Sequence, residues 1–237
     1  MIDVHHTPTP EKEVAQAVSE YLRARADVPT LLMIAGGSLP DAVLPHIDRG
    51  VLSPQLTISI FDERCTEDES GLNELQLQAT PFYEDALRAG VGTMSVVVGD
   101  ETTCPLVAAD WEKRLRQWQA ENLEGEIVVL AGVGADGHIA GIFSHTQAEH
   151  ETFASEAWIV SHHFSDTDDR YPSRITPTFT FWRDAVAMSF IYTKGEEKAE
   201  VLQSLFSTTP DLTTTPAQVL SKLPLESLRL YSDREPR

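Results

Sequence analysis

Basic residues and cysteines are both scarce in this sequence. Lysine and arginine together number 18 against 37 aspartates and glutamates, a formal net charge of −19. A nucleic-acid surface needs a basic stripe, so that class of partner is excluded, and no like-charge block is long enough to form a tail. An anionic small molecule still has a route in, but only where local cations and backbone N–H groups overcome the overall field. The two cysteines, Cys65 and Cys104, are too few for a disulfide framework and lack C-x-x-C spacing, so reduced thiols are expected. Acidic neighbours disfavour a thiolate at Cys65, which reads as a bystander. Also missing are an apolar stretch of membrane-spanning length and, in "MIDVHHTPTPEKEV", a basic region followed by an apolar one. The expectation is a cytoplasmic protein with no membrane partner.

What is present is an ordinary globular balance, 41% hydrophobic and 23% charged over 237 residues. That is enough for a sizeable core. No repeat, low-complexity tract or linker divides the chain, so residues 1–237 read as one domain. Thr9 and Pro10 read as a cap and first helical position, followed by Val14, Val18, Tyr21 and Leu22 at helical spacing. Short runs rich in β-branched residues then recur: "TLLMIA" (30–35), "LTISIF" (56–61), "MSVVV" (94–98), "EIVVLA" (126–131), "AWIV" (157–160) and "AVAMSFIY" (185–192). Longer amphipathic stretches lie between most of them, such as 104–122 and 195–206. Such alternation predicts an α/β fold, with helices on both faces of a mainly parallel sheet. The Thr/Pro-rich stretch 207–218 reads as a loop before a last short helix and strand.

Ligands of such sheets bind outside the carboxyl ends of the strands, and three loops there are chemically loaded. In "GVGADGHIA", Gly132, Gly134 and Gly137 have G-x-G-x-x-G spacing. A dinucleotide site fits badly: Asp136 would meet the pyrophosphate, and the acid about 20 positions on, Glu156, precedes an apolar run instead of ending one. The glycines instead allow a sharp turn that brings Asp136 and His138 to a common cleft, where a carboxylate orients a proton-transferring imidazole. The competing reading has Asp136 capping the next helix and His138 on the surface.

"GGSLP" supplies Gly36, Gly37 and Ser38, either a backbone nest for phosphate at a helix N-terminus or an ordinary turn capped by Ser38. No G-K-[ST] follows, so it is not a Walker loop. "FDERC" puts Asp62, Glu63 and Arg64 directly after a strand, and alone it would read as a solvated turn with an internal ion pair. The remaining histidines make no metal signal: His162 and His163 are adjacent and point to opposite faces of a strand, and His145 and His150 lack i, i+4 spacing. No metal site is expected.

Together, "GGSLP", "FDER…SGLN", "GVGADGHIAGIF", "YPSRIT" and "GEEKAEVL" resemble the 6-phosphogluconolactonase family, within the wider group that includes glucosamine-6-phosphate deaminases. The resemblance runs along nearly the whole chain. It implies a Rossmann-like three-layer α/β/α fold and cytosolic sugar-phosphate chemistry in the pentose phosphate pathway, with no metal or redox cofactor. The D-E-R, the G-I-F after the histidine and the R-I-T are similar to the lactonase branch, whereas deaminases carry Asp-Glu-Tyr and Asn-Glu-Pro in the first two places.

By that resemblance His138 is the general base that activates water, with Asp136 beside it. Asp62, grouped with them as catalytic, and Arg64 line the sugar end, while Gly36, Gly37, Ser38, Arg174 and Lys198 hold the phosphate. The chain departs from the family at three places. Gly71 and Leu72 separate Ser70 from Asn73, Phe143-Ser144-His145 replaces Phe-Pro-Gly, and Leu39 replaces a threonine. The implied substrate is a phosphorylated sugar lactone, hydrolysed by a monomer or weak homo-oligomer. An amino-sugar-phosphate isomerase or deaminase, and a sugar-phosphate sensor without activity, are the alternatives.

Overall fold

Two apolar runs with no polar interruption make the middle of the molecule, because strands covered on both faces need no alternation. The structure, a computed structural model, describes residues 4–167 and 169–235. In chain order the elements are β1 (Val4–His6), α1 (Pro10–Ala24), β2 (Thr30–Ile34), α2 (Leu39–Val43), β3 (Leu56–Ile60), β4 (Glu63–Arg64), α3 (Asn73–Gln78), α4 (Pro81–Arg88) and β5 (Gly92–Thr93). There follow α5 (Cys104–Glu121), β6 (Glu126–Gly132), α6 (Gln147–Phe153), β7 (Ile159–His163), β8 (Ser173–Pro177), α7 (Phe179–Asp184), β9 (Val186–Thr193), α8 (Ala199–Ser204) and β10 (Leu228–Ser232).

Seven strands form one parallel sheet in the order β1-β10-β9-β6-β2-β3-β5. Helices flank it to give the expected three-layer α/β/α architecture. The helical spacing read near the N-terminus is real: Val14, Val18, Tyr21 and Leu22 are the buried face of α1, which packs on β9 and β10. Pro10 occupies the first turn, but Thr9 makes no side-chain cap bond. The chain runs outward from β2 through β3 to β5, then returns with β6 on the other side of β2. The carboxyl ends of β2 and β6 therefore flank a point where strand order reverses, the place where an open α/β sheet forms a crevice.

Three sequence expectations need correction. Residues 94–98 are not a strand: Met94 still donates to the Ile58 carbonyl, but Glu74 then takes the Ser95 hydroxyl at 2.7 Å and the Val96 N–H at 3.3 Å, drawing the chain off the sheet edge. "AWIV" feeds β7, which pairs antiparallel with β8 in a separate three-stranded sheet, β4-β8-β7. The "YPSRIT" segment runs into β8 of this small sheet. Finally, Cys65 and Cys104 are bonded to each other, with Cα atoms 6.1 Å apart. Spacing could not reveal this, since the pairing depends on the small sheet packing against α5.

Candidate active site

At the strand-order reversal lies a cleft of about 270 Å³ lined by the turn after β2, by Asp62 after β3, by the loop after β6, by Tyr192 at the end of β9, and by Arg64 and Arg174 of the small sheet. Gly36, Gly37, Ser38 and His138 are all in this lining. The sequence motifs, scattered over more than a hundred positions, therefore converge.

The loop after β6 is built around His138. Gly134 donates to the His138 carbonyl at 2.9 Å, and a Cβ at Gly134 would come within 2.1 Å of the His138 ring, so only glycine fits. Asp136 Oδ1 lies 2.6 Å from His138 Nδ1 and accepts the His138 N–H at 3.2 Å. The ring contact holds the Asp136 carboxyl down to about 2. No helix follows directly, since α6 starts at Gln147 under its own Thr146 cap; Asp136 is a partner of His138, not a helix cap. The other side of the imidazole meets Phe143, with ring centroids 5.0 Å apart.

The D-E-R segment is not a solvated turn. Asp62 is 5% exposed and Glu63 is 0% exposed. Burial pushes the Glu63 carboxyl up to about 7, with Asp62 adding to the rise, although three backbone N–H groups (Arg64, Asn73 and Glu74) donate to it and oppose the shift. Arg64 and Arg174 are opposite residues in the β4–β8 ladder. Arg64 donates to the Gly71 carbonyl, so the residues that interrupt the family's Ser-Asn here support a cleft cation. Arg174 is 3% exposed and pairs with Asp169 at 2.8 Å; burial lowers its pKa. The Nε groups of Arg64 and Arg174 are buried and have no partner among the described residues.

The structure brings Lys198 less close. Its Nζ donates to the Val133 carbonyl at 2.8 Å, and it is not part of the cleft lining, although Val133 is. Ser38 starts α2 without a side-chain cap bond, and α2 has only five residues, so any anion there would rely on individual N–H groups, not on a long helix dipole. Sequence reasoning overlooked Asp169 and Tyr192. Tyr192 ends the β9 apolar run, a signal that the carboxyl-end rule supplies; Asp169 sits in an irregular segment with no pattern.

His145, His150 and His162 are taken up by one another, by Glu149 and by the Phe153 ring. His145 Nε2 and His150 Nδ1 lie 3.2 Å apart, and His162 meets Glu149 at 3.0 Å. Among the described residues no group of three His, Cys, Asp or Glu side chains is placed to hold a metal ion. Nor, among them, is any helix long and apolar enough to cross a membrane.

Comparison with known proteins places this geometry in context. The structure of a 6-phosphogluconolactonase from Trypanosoma cruzi superimposes with a TM-score of 0.77 at 20% identity, over 98% of this chain and 94% of that one. The corresponding values are 0.75, 18%, 98% and 96% for a 6-phosphogluconolactonase from Trypanosoma brucei. For one from Shewanella baltica they are 0.73, 19%, 98% and 97%. These likenesses carry the fold. Comparison with curated protein sequences gave no match. The family model for glucosamine-6-phosphate isomerases/6-phosphogluconolactonase matches residues 9–226, and with the match spanning nearly the whole chain, the protein belongs to that family.

Proposed function

We propose that the protein hydrolyses 6-phosphogluconolactone to 6-phosphogluconate, as a carboxylic ester hydrolase of the pentose phosphate pathway working in the cytoplasm, with residues 1–237 acting as one domain. The observation that carries this reading is that one cleft is lined both by His138, paired with Asp136 behind it, and by two arginines whose buried Nε–H groups have no partner among the described residues. An ionised Asp136 accepts the Nδ1 proton and leaves Nε2 of His138 as the acceptor. Nε2 takes a proton from water as the water oxygen bonds to the lactone carbonyl carbon. The ring ester bond then breaks, and the proton passes from Nε2 to the departing ring oxygen. The net change is one water added, giving a hydroxyl and a carboxylic acid that ionises.

Arg64 and Arg174, with backbone N–H groups of Gly36 and Ser38 in the turn that Gly37 makes, hold the phosphate, and Lys198 adds a third cation from the Val133 edge. Asp62 lines the sugar end, where its carboxylate suits hydroxyl donors. Two acids and two arginines in the cleft give the balance that a polyhydroxylated phosphate needs, in a molecule whose overall field repels anions.

The test is purified protein incubated in parallel with 6-phosphogluconolactone and glucosamine 6-phosphate, following acid and ammonia release. Acid from the lactone above its spontaneous rate is expected. Ammonia alone would establish the isomerase or deaminase reading, and tight binding without turnover a sensor.

A further inference from the structure

The short helix α3 lies between two walls of the cleft and is bonded to both. At its start Leu72, the N-cap residue, has no side-chain acceptor to offer, which would leave the first N–H groups unsatisfied. Glu63, from the neighbouring wall, fills that role: Oε1 accepts the Asn73 N–H and Oε2 the Glu74 N–H, each at 2.8 Å. Asn73 Nδ2 donates back to the Asp62 carbonyl at 2.8 Å. The helix is thus fixed to the strand end that carries Asp62 and Arg64.

Three residues on from Asn73, on the same helix face, Gln76 reaches the other wall. Its Oε1 accepts the Gly37 N–H at 3.1 Å and its Nε2 donates to the Gly37 carbonyl. The carboxamide therefore pairs with both polar groups of one residue, as a neighbouring strand would. Gly37 needs such a hold. It is exposed, its φ is +73°, nothing would touch a side chain there within 4 Å, and Ser38 adds no side-chain cap bond. Because the Gly37 N–H is spent on Gln76, the donors left for an anion at this turn are those of Gly36 before it and of Ser38 and Leu39 after it. The same cleft is lined by Arg174, a cation that is 3% exposed and whose Nε has no partner among the described residues.

We propose that Gln76 is a positioning residue for phosphate recognition: from outside the cleft lining it sets the Gly37 peptide, and through it the Ser38 and Leu39 N–H groups that meet the substrate's phosphate. The inference rests on the phosphorylated-lactone reading for its substrate, but not for its simplest probe. Gln76 touches no reacting atom, so its effect falls on affinity for the phosphate and not on the chemical step.

The test compares wild type with Gln76→Met, which keeps the volume and loses both hydrogen bonds. Gln78→Met, on an exposed position of the same helix, is the control. Calorimetry with inorganic phosphate and with 6-phosphogluconate is run beside kinetics on 6-phosphogluconolactone and on the unphosphorylated lactone. Loss of the paired hydrogen bonds is expected to weaken both phosphate ligands about 10-fold and raise KM for the phosphorylated lactone by about the same factor. The kcat should stay within about 2-fold, the unphosphorylated lactone should be unaffected, and Gln78→Met should match wild type.

Unchanged phosphate binding in a folded Gln76→Met, or equal losses on both lactones, overturns the proposal. If Gln76→Met unfolds, Gln76→Glu is measured in its place: it keeps the acceptor for the Gly37 N–H but opposes a carboxylate to the carbonyl, and phosphate affinity equal to wild type overturns the proposal again. Wild type that binds phosphate but turns over neither lactone refutes the hydrolase reading and leaves the phosphate comparison to decide the role of Gln76. Wild type that binds no phosphate refutes both.

Discussion

Arg64 and Arg174 face each other across the β4–β8 ladder, one from the D-E-R segment and one from the R-I-T segment. Opposite residues of an antiparallel pair share a face of the sheet, so two guanidinium groups are held side by side against their own repulsion. Asp169 offsets part of it through its 2.8 Å contact with Arg174. A dianionic phosphate in the cleft would offset more.

From this follows an order of effects among the cations. Arg174→Met should weaken the phosphorylated lactone by roughly 10- to 150-fold, the loss of charge-assisted bonds worth about 1.5 to 3 kcal/mol. Lys198→Met, which vacates the Val133 carbonyl at the cleft's edge, should cost less. Hydrolysis of the lactone without its phosphate should barely change in either. Steady-state KM on both substrates checks this, and equal losses on the two would move these cations to the reacting end or to the fold.

Glu63 gives a pH signature in stability. Its folded pKa of about 7 lies above its unfolded value, so its favourable contribution is complete below about pH 4.5 and is lost as pH rises through 7. The upper bound is about 3 kcal/mol for a carboxyl raised from 4.5 to about 7. Denaturant titrations between pH 4.5 and 8 should show wild type losing stability relative to Glu63→Gln as pH rises. Parallel profiles would mean that the three N–H donors keep Glu63 ionised throughout.

Much of this architecture was legible in the sequence, and the reasons for the exceptions are physical. β2, β3, β6 and β9 announced themselves because buried parallel strands are continuous apolar runs. α1 did so through its periodicity, and Asp136 with His138 through the glycines that crowd around them. The 94–98 run misled because Glu74, twenty positions earlier, competes for its backbone. Arg174 was seen as a cation, but its place on a strand opposite Arg64 depends on pairing between distant segments. Gln76 carries no local signal, since its partner is a backbone peptide 39 residues away.

The Cys65–Cys104 bond was unexpected for the same reason. With its ends 39 positions apart in the sequence, the cross-link should restrict the unfolded chain by about 4 kcal/mol. A dithiol reductant should therefore lower the melting temperature by roughly 10 °C. Cys65→Ser should match the reduced protein and be insensitive to reductant. Identical melting with and without reductant would show that the two sulfurs are not joined in solution.

Asp136→Asn tests the orienting partner. An amide no longer holds His138 in one tautomer, and a fall in kcat of about 10- to 100-fold is expected, the range for losing a carboxylate that orients a functional histidine. The Asp136 side chain is 60% exposed, so the contact contributes less than about 1 kcal/mol to stability. Because its pKa is depressed to about 2, that contribution is present above pH ~4 and lost as pH falls through 2. A variant with normal kcat would leave Asp136 as a loop-shaping residue only.

The most direct measurement is the initial rate of acid release from 6-phosphogluconolactone by wild type and by His138→Asn, each corrected for spontaneous hydrolysis, with 6-phosphogluconate binding measured on both. Wild type should accelerate ring opening, and the variant should lose about 10²- to 10⁴-fold in kcat, the contribution of a positioned general base, while binding product as wild type does. A variant that turns over the lactone at the wild-type rate would contradict the account, since His138 would then be only a packed histidine beside Phe143 and the base would lie elsewhere.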